Sequence, residues 1–433
     1  MSFKRNLLLT VAGATLMLSN IKVIAQETTE NPMDTLARTV QSITDDLNKI
    51  KRLKITGYIQ PQFQYVDSAG ASTTFAGGDF PVGSTSNSRF TMRRGRFKFT
   101  YDYTNVKYML NVDITEKAVG LRETYVKITD PWKKMYSVAV GLSQVPFGFE
   151  VTQSSSERET PERARFNQTL FPTERDLGIF GTIVVPKSSK LYGLKLDASL
   201  LNGVGGINPE FDSFKDLTGR AQYSRTTKSE KTSYAIGTSY YYGGYRIGKP
   251  KDYNSTTLAN GDNGYAYATD TANYNRKAQR IYMGVDAQIT FDWRVGFTTL
   301  RADFVQGQQP GTATASRTTT AAPTTTVYHR NFNGAYFYFI QDIGESKFQV
   351  VAKYDWYDPN VKVKNREIGK TGTNTNAGDI RFDTYGFGIT YRMNANVKLM
   401  TYYDIVKNEK TLVKGFENDL KDNVLTIRMQ CKF

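Results

Sequence analysis

Leu425-Thr426-Ile427-Arg428-Met429-Gln430-Cys431-Lys432-Phe433 closes a sequence of 433 residues. Leu425, Ile427, Met429, Cys431 and Phe433 form one wholly apolar set, and Thr426, Arg428, Gln430 and Lys432 form the other. Successive side chains of a strand point to opposite faces, so this stretch predicts a strand with one face in an apolar medium and one in water. Its aromatic final residue fits the last strand of an outer-membrane β-barrel. Cys431 then faces lipid as a small apolar residue, not as a reactive thiol.

The same period runs back through the chain. Phe97, Phe99, Tyr101 and Tyr103 alternate with Arg96, Lys98, Thr100 and Asp102, and Val106, Tyr108, Leu110, Val112 and Ile114 with Lys107, Met109, Asn111 and Asp113. Tyr192 to Leu200, Ile281 to Ile289 and Tyr385 to Tyr391 repeat it. In the first strand, Ile55, Ile59, Phe63 and Tyr65 oppose Tyr58, Gln60, Gln62 and Gln64, and Pro61 must forfeit a ladder hydrogen bond. There are about sixteen such runs, an even number as bacterial barrels need. The predicted fold class is all-β, a transmembrane antiparallel β-barrel.

The links alternate in length. Short ones fall at 104, 130–133, 186–189, 291–292, 344–345 and 393–395. Long ones fall at 67–88, 142–177, 202–216, 243–274, 306–331, 359–378 and 409–421, and the link at Lys117 is the exception. Short turns at one end and long Gly-, Ser-, Thr- and Asn-rich loops at the other separate an outer-membrane barrel with both termini periplasmic from a soluble sandwich. The Thr-rich run 312–326 is low-complexity and is expected to be mobile.

Residues 1–25 read as a secretory signal: Lys4 and Arg5, an apolar run from Leu7 to Leu18, then Val23, Ile24 and Ala25 before a cut at Gln26. The apolar run is too short to span a bilayer as a helix. Leu36, Val40, Ile43, Leu47 and Ile50 follow at spacings of 4, 3, 4 and 3, a heptad seam. Residues 26–53 therefore read equally as a short coiled coil that adds to the assembly of barrels, or as a single periplasmic helix or linker at the barrel mouth. Residues 54–433 are the barrel.

The net charge is +15. The basic residues are not gathered into one aromatic-interleaved tract, so nucleic acid is not the expected partner. They recur on the polar faces of strands: Arg94, Arg96, Lys98, Arg220, Arg280, Lys353, Arg392 and Arg428. Rings of Arg and Lys favour anions in a pore, and Arg adds bidentate geometry for phosphate. The competing reading is that such charges pair across the wall and keep it hydrated. Loop 142–177 carries Arg158, Arg163, Arg165 and Arg175 among Glu150, Glu157, Glu159, Glu162, Glu174 and Asp176. Its Phe147, Phe149, Phe166, Leu170 and Phe171 demand burial, so it is expected to fold inward and narrow the pore.

Catalysis has little to draw on. His329 and Cys431 are single, so no nucleophile–histidine set, histidine-bearing metal cluster or disulfide framework is expected, and no cofactor. Asn202, Gly203, Val204, Gly205 and Gly206 lead into a loop and not a helix, so they read as a turn and not a phosphate cradle.

Several stretches match a known family in order and spacing. They are Gly57-Tyr58-Ile59-Gln60, Arg93-Arg94-Gly95-Arg96, Val145-Pro146-Phe147-Gly148-Phe149-Glu150, Glu174-Arg175-Asp176-Leu177-Gly178, Val351-Ala352-Lys353-Tyr354-Asp355, Tyr391-Arg392-Met393-Asn394-Ala395-Asn396-Val397 and Leu425-Thr426-Ile427-Arg428-Met429-Gln430. Through them the chain resembles the phosphate-selective porin O and P family over nearly all of 54–433. The resemblance implies a sixteen-stranded barrel, usually a homotrimer, with an Arg- and Lys-lined pore for phosphate or polyphosphate and a third loop that narrows it. Lys353 stands where the family's Ala-Arg-Tyr pattern has Arg, and the heptad helix lies outside the family's core pattern. The expectation is a passive outer-membrane channel for small anions. A general diffusion porin and a closed structural or adhesive barrel are the alternatives.

Overall fold

The computed structural model describes residues 32–71, 74–76, 80, 84–116, 118–249, 251–269 and 275–433. The signal segment 1–25 and Lys117 lie outside them. The chain divides into two compact units at 51/52. In the first, helix α1 (Pro32–Arg52) carries the heptad positions on its surface, with Leu36, Val40, Ile43, Leu47 and Ile50 all exposed.

The second unit is a closed sheet. Its strands are β1 (Leu53–Val66), β2 (Ser88–Tyr103), β3 (Val106–Ile114), β4 (Val119–Thr129), β5 (Tyr136–Gln144), β6 (Arg175–Val184), β7 (Leu194–Leu201), β8 (Asp216–Thr226) and β9 (Thr232–Arg246). A hairpin follows, β10 (Lys251–Thr257) and β11 (Asn263–Thr269). Then come β12 (Lys277–Trp293), β13 (Gly296–Gly311), β14 (Val327–Asp342), β15 (Phe348–Asp358), β16 (Phe382–Arg392), β17 (Val397–Asn408) and β18 (Val424–Lys432). β9 pairs directly with β12, and β18 pairs with β1, so sixteen antiparallel strands form the barrel and the hairpin stands outside the count.

The closing strand does what its alternation predicts. Thr426, Arg428 and Gln430 are buried on the inner face, and Ile427 and Cys431 pair with Phe63 and Ile59 on the outer one. Phe433 and Gly57 exchange backbone hydrogen bonds, 3.0 Å each way. The Phe433 ring lies over Gly57, where a Cβ would meet it at 2.4 Å, and against Phe97 at 5.5 Å. A glycine in a strand leaves a bare patch of backbone, and an aromatic ring covers it here.

Several expected boundaries shift. β12 continues to Trp293, so that turn is 294–295 and not 291–292. β7 begins at Leu194, because Gly193 turns the chain with φ +97. β13 and β14 leave only 312–326 between them, and β5 and β6 leave 145–174. The link after β9 was expected to be plain loop. Instead β10 adds to the start of β14 in parallel, Asp252 opposite Val327, and Asp252 meets His329 at 3.3 Å. The Thr-rich run packs on the third loop: the Thr318 N–H donates to Thr169 O at 3.0 Å, and its hydroxyl to Leu170 O at 2.7 Å.

Two β-bulges break the period of two. Gln60 opposes Arg94 and Pro61 opposes Met92, which leaves Arg93 as an extra residue. Asn111 opposes Glu123 and Val112 opposes Leu121, which leaves Arg122. Proline without its N–H sits comfortably at such an irregularity. Each bulge turns two neighbouring side chains, Arg93 with Arg94 and Arg122 with Glu123, toward the loop inside the barrel.

Candidate functional site in the barrel lumen

Loop 145–174 folds into the barrel. Its apolar side packs on an aromatic wall. Phe147, Phe166, Leu170 and Phe171 are buried among Tyr241, Tyr282, Phe332, Tyr336, Tyr338, Tyr357 and Tyr402, which line β9, β12, β14, β15 and β17. Phe166 stacks on Tyr336 with centroids 5.9 Å apart, and Phe147 stands edge-on to Tyr282 at 6.3 Å. Burial of three phenylalanines stabilises the docked loop by roughly 5–9 kcal/mol. The wall makes room for it. A Cβ on Gly148 (φ +54) would lie 2.6 Å from Asp303, and one on Gly334 would lie 2.8 Å from Phe166.

The charged side of the loop is held by the opposite wall. Glu162 accepts from Arg93 at 2.8 and 2.9 Å, from Arg94 at 2.8 Å and from Arg428 at 3.0 Å, with Arg158 at 3.9 Å. Glu174 pairs with Arg122 at 2.7 Å and with Arg163 and Arg175, and Arg175 also reaches Glu123 at 2.8 Å. Burial works against ionising Glu162. Arg93, Arg94 and Arg428 outweigh it and hold the carboxyl well below its ordinary range. Burial likewise opposes, and Arg163, Arg122 and Arg175 overcome, for Glu174. The loop also descends toward the short-turn end, where Glu157 meets Lys432 at 2.6 Å and Lys398 donates to Ser156 O and Arg158 O at 3.1 Å. Glu159 crosses to Arg301 at 3.0 Å.

Most of the basic residues singled out in the sequence therefore hold structure together and do not present a bare wall. Arg94, Arg428 and Arg158 gather on Glu162; Arg163 and Arg175 gather on Glu174. Arg96 donates to Ser155 at 2.8 Å and to Asp113 at 3.2 Å. Arg165 is sandwiched between the rings of Phe75 and Phe382, at 4.2 and 4.0 Å. Arg280 pairs with Asp216 at 2.6 Å and Lys353 with Asp355 at 2.9 Å, all buried. Arg392 is half-exposed at the short-turn rim, paired with Asp342 at 3.0 Å, and lines a polar space there with Glu157, Arg158 and Glu159 of the loop. Arg220 pairs with Asp286 at 2.7 Å but also lines the space described next, and Lys98 stays exposed on the inner face.

On β4–β8 the loop is held at Glu174 by Arg122 and Arg175, but not along the whole face. There a polar space of about 210 Å³ separates Pro146 and Thr152 of the loop from Tyr125, Lys127, Ser137, Thr182, Lys195, Asp197, Arg220 and Gln222 of the wall. Lys107 and Lys127 stand directly opposite each other on β3 and β4. Lys107 has Asp102 at 3.4 Å and Lys195 has Asp197 at 2.8 Å, but Lys127 forms no ion pair among the described residues. Like charges facing across a ladder are unfavourable, and a lysine without a carboxylate keeps its field in the lumen. Sequence reading missed Lys107, Lys127 and Lys195, which alternation alone places inward on three separate strands.

The model of the family described as phosphate-selective porin O and P matches residues 73–433. A comparison with curated proteins finds no match. Among solved structures, Salmonella typhi OmpF in complex with daunomycin superposes with a TM-score of 0.53 at 10% identity, covering 88% of this chain and 97% of that one. The outer-membrane channel DcaP of Acinetobacter baumannii gives 0.52 at 12%, covering 88% and 97%. An anion-selective porin from Comamonas acidovorans gives 0.51 at 11%, covering 88% and 99%. At these identities the likeness is one of fold, and it agrees with the sixteen-stranded closure. With the match over most of its length, the chain belongs to the phosphate-selective porin O and P family.

Proposed function

We propose that this porin is a passive channel of the bacterial outer membrane, with both termini periplasmic, that passes small solutes and prefers anions, phosphate among them. The observation that carries the reading is Lys127. It faces a side of the lumen where a space remains beside the third loop, opposite Lys107 and near Lys195, with no ion pair of its own among the described residues. A pore lined by such cations lowers the barrier for anions and raises it for cations. The clamp around Glu162 adds to the field, since four guanidiniums surround one carboxylate. Phosphate suits the lining because Lys195, Arg220 and Gln222 carry donors around the same space.

The purified protein in a planar bilayer under a KCl gradient tests this. A current whose reversal potential follows chloride, reduced by added phosphate, is the expected result. A reversal potential that follows potassium overturns the anion preference. No current at all favours the closed structural or adhesive barrel.

A further inference from the structure

The lipid side of the wall carries a groove. Tyr223 of β8, Ile236 of β9, Ala287 of β12, Ala302 of β13 and Phe337 of β14 stand in register, each opposite the next. They point outward, because Asp286, Arg301, Asp303, Tyr336 and Tyr338 beside them belong to the buried inward set. Two alanines between larger side chains leave hollows of about 800 and 490 Å³, which share Ile236, Ala287, Ala302 and Phe337 and are therefore one groove. Its β8 end reaches Tyr223, three residues from the end of β8, whereas Ala302 is six residues from the start of β13. The groove thus rises from the short-turn end toward the middle of the wall. Four strand spacings make it about 19 Å long. A strand tilt of about 40° makes it climb about 12 Å, half of an apolar band about 25 Å tall.

Arg225 stands at its foot. It lies two residues beyond Tyr223 on the same face, its Nε donates to the Tyr223 hydroxyl at 3.0 Å, and its guanidinium lies 4.8 Å from the centre of the Tyr192 ring. It forms no ion pair among the described residues. An arginine at an aromatic girdle lays its stem on the wall and turns its head to the headgroups. Lys228 and Lys231 in the next turn, and Lys187 and Lys190 in the neighbouring one, are exposed and likewise form no ion pair among the described residues. Glu230 is the one carboxylate in the two turns.

We propose that this groove binds one anionic phospholipid, with its phosphate on Arg225 and an acyl chain laid from Tyr223 to Phe337. A guanidinium gives a phosphate two parallel donors, and basic clusters beside a membrane select acidic headgroups. A hollow walled by apolar side chains loses contacts unless hydrocarbon fills it. A second copy seated by the same face would set one basic rim against another, whereas an acidic lipid brings the opposite charge. This goes beyond the channel reading and does not depend on selectivity. With the short-turn end periplasmic, as proposed above, the lipid belongs to the periplasmic leaflet.

The test is native mass spectrometry of the full chain, stripped of lipid in mild detergent and given phosphatidylglycerol or phosphatidylcholine with the same acyl chains. The unmutated chain should hold one phosphatidylglycerol, about tenfold more tightly than phosphatidylcholine. Arg225→Gln should bring the two lipids to equal retention. Ala287→Leu with Ala302→Leu fills the groove and should lose both; if that barrel does not fold, Arg225→Gln alone decides. Equal retention of the two lipids by the unmutated chain, or an unchanged preference in Arg225→Gln, would overturn the headgroup site. Undiminished retention by the filled groove would overturn the acyl site. In a Cys431→Ser background, rapid disulfide linkage between chains carrying Ala302→Cys would seat a second copy on the groove and overturn the lipid. The conductance of each variant reports the barrel separately, so failure of the lipid site and failure of the channel are distinguishable.

Discussion

The wall of β9 and β12–β17 and the wall of β4–β8 face the same lumen and carry opposite chemistry. The first presents tyrosines and Phe332, and the third loop is buried on it. The second presents Lys127, Lys195, Arg220, Thr182 and Gln222, and a space remains between it and the loop. Their heights differ too: β12–β14 have 16 or 17 residues, β5–β7 only 8 to 10. One wall is a bed for the loop, and the other is the surface along which we propose that solutes pass. The arginines of β2 and β18 stand between them and hold Glu162, while Arg122 of β4 and Arg175 of β6 hold Glu174 at the edge of the second wall.

The sharpest way to break this division is to unpin the loop. Glu162→Ala removes the one carboxylate that holds Arg93, Arg94 and Arg428 together. Removing one partner of a buried ion pair costs about 3–5 kcal/mol. Denaturant unfolding of the detergent-solubilised barrel should show that loss, and single-channel conductance should rise as the loop leaves its place. The exposed Glu157–Lys432 pair is the control: Glu157→Ala should cost no more than about 1 kcal/mol.

Acid should act on the same clamp more gently. The folded carboxyls of Glu162 and Glu174 titrate well below their ordinary value. Their contribution is therefore complete above the unfolded value of about 4.3 and is lost only as pH falls through the depressed folded values. Conductance should hold steady from neutral pH to about 4, then change below it. A change centred near neutrality would contradict the clamp.

Much of this was legible in the chain. Alternation in Leu425–Phe433 and Phe97–Tyr103 follows directly from side-chain geometry, and the link lengths gave the barrel its two ends. The apolar residues of the third loop could only be satisfied indoors. Other features were hidden for physical reasons. A strict period of two puts Arg93 on the lipid face; only the bulge at Pro61 brings it in, and the doublets Arg93-Arg94 and Arg122-Glu123 were the available signal. The sequence places basic residues on inward faces, but it does not say which of them also meet a carboxylate. Lys107, Lys127 and Lys195 lie on three strands, and they become a group only when the sheet closes and the loop covers the other wall.

The division of the lumen is tested most directly by charge reversal on the uncovered wall. Reversal potentials under a KCl gradient should be compared for the native protein, Lys127→Glu with Lys195→Glu, and Arg94→Gln. The lysine variant should lose anion preference or turn toward potassium at nearly native stability. Arg94→Gln should lower stability and leave the sign of selectivity in place. If the lysine variant keeps the native reversal potential while Arg94→Gln abolishes it, ions pass along the arginine side and the lysine wall does not set the selectivity.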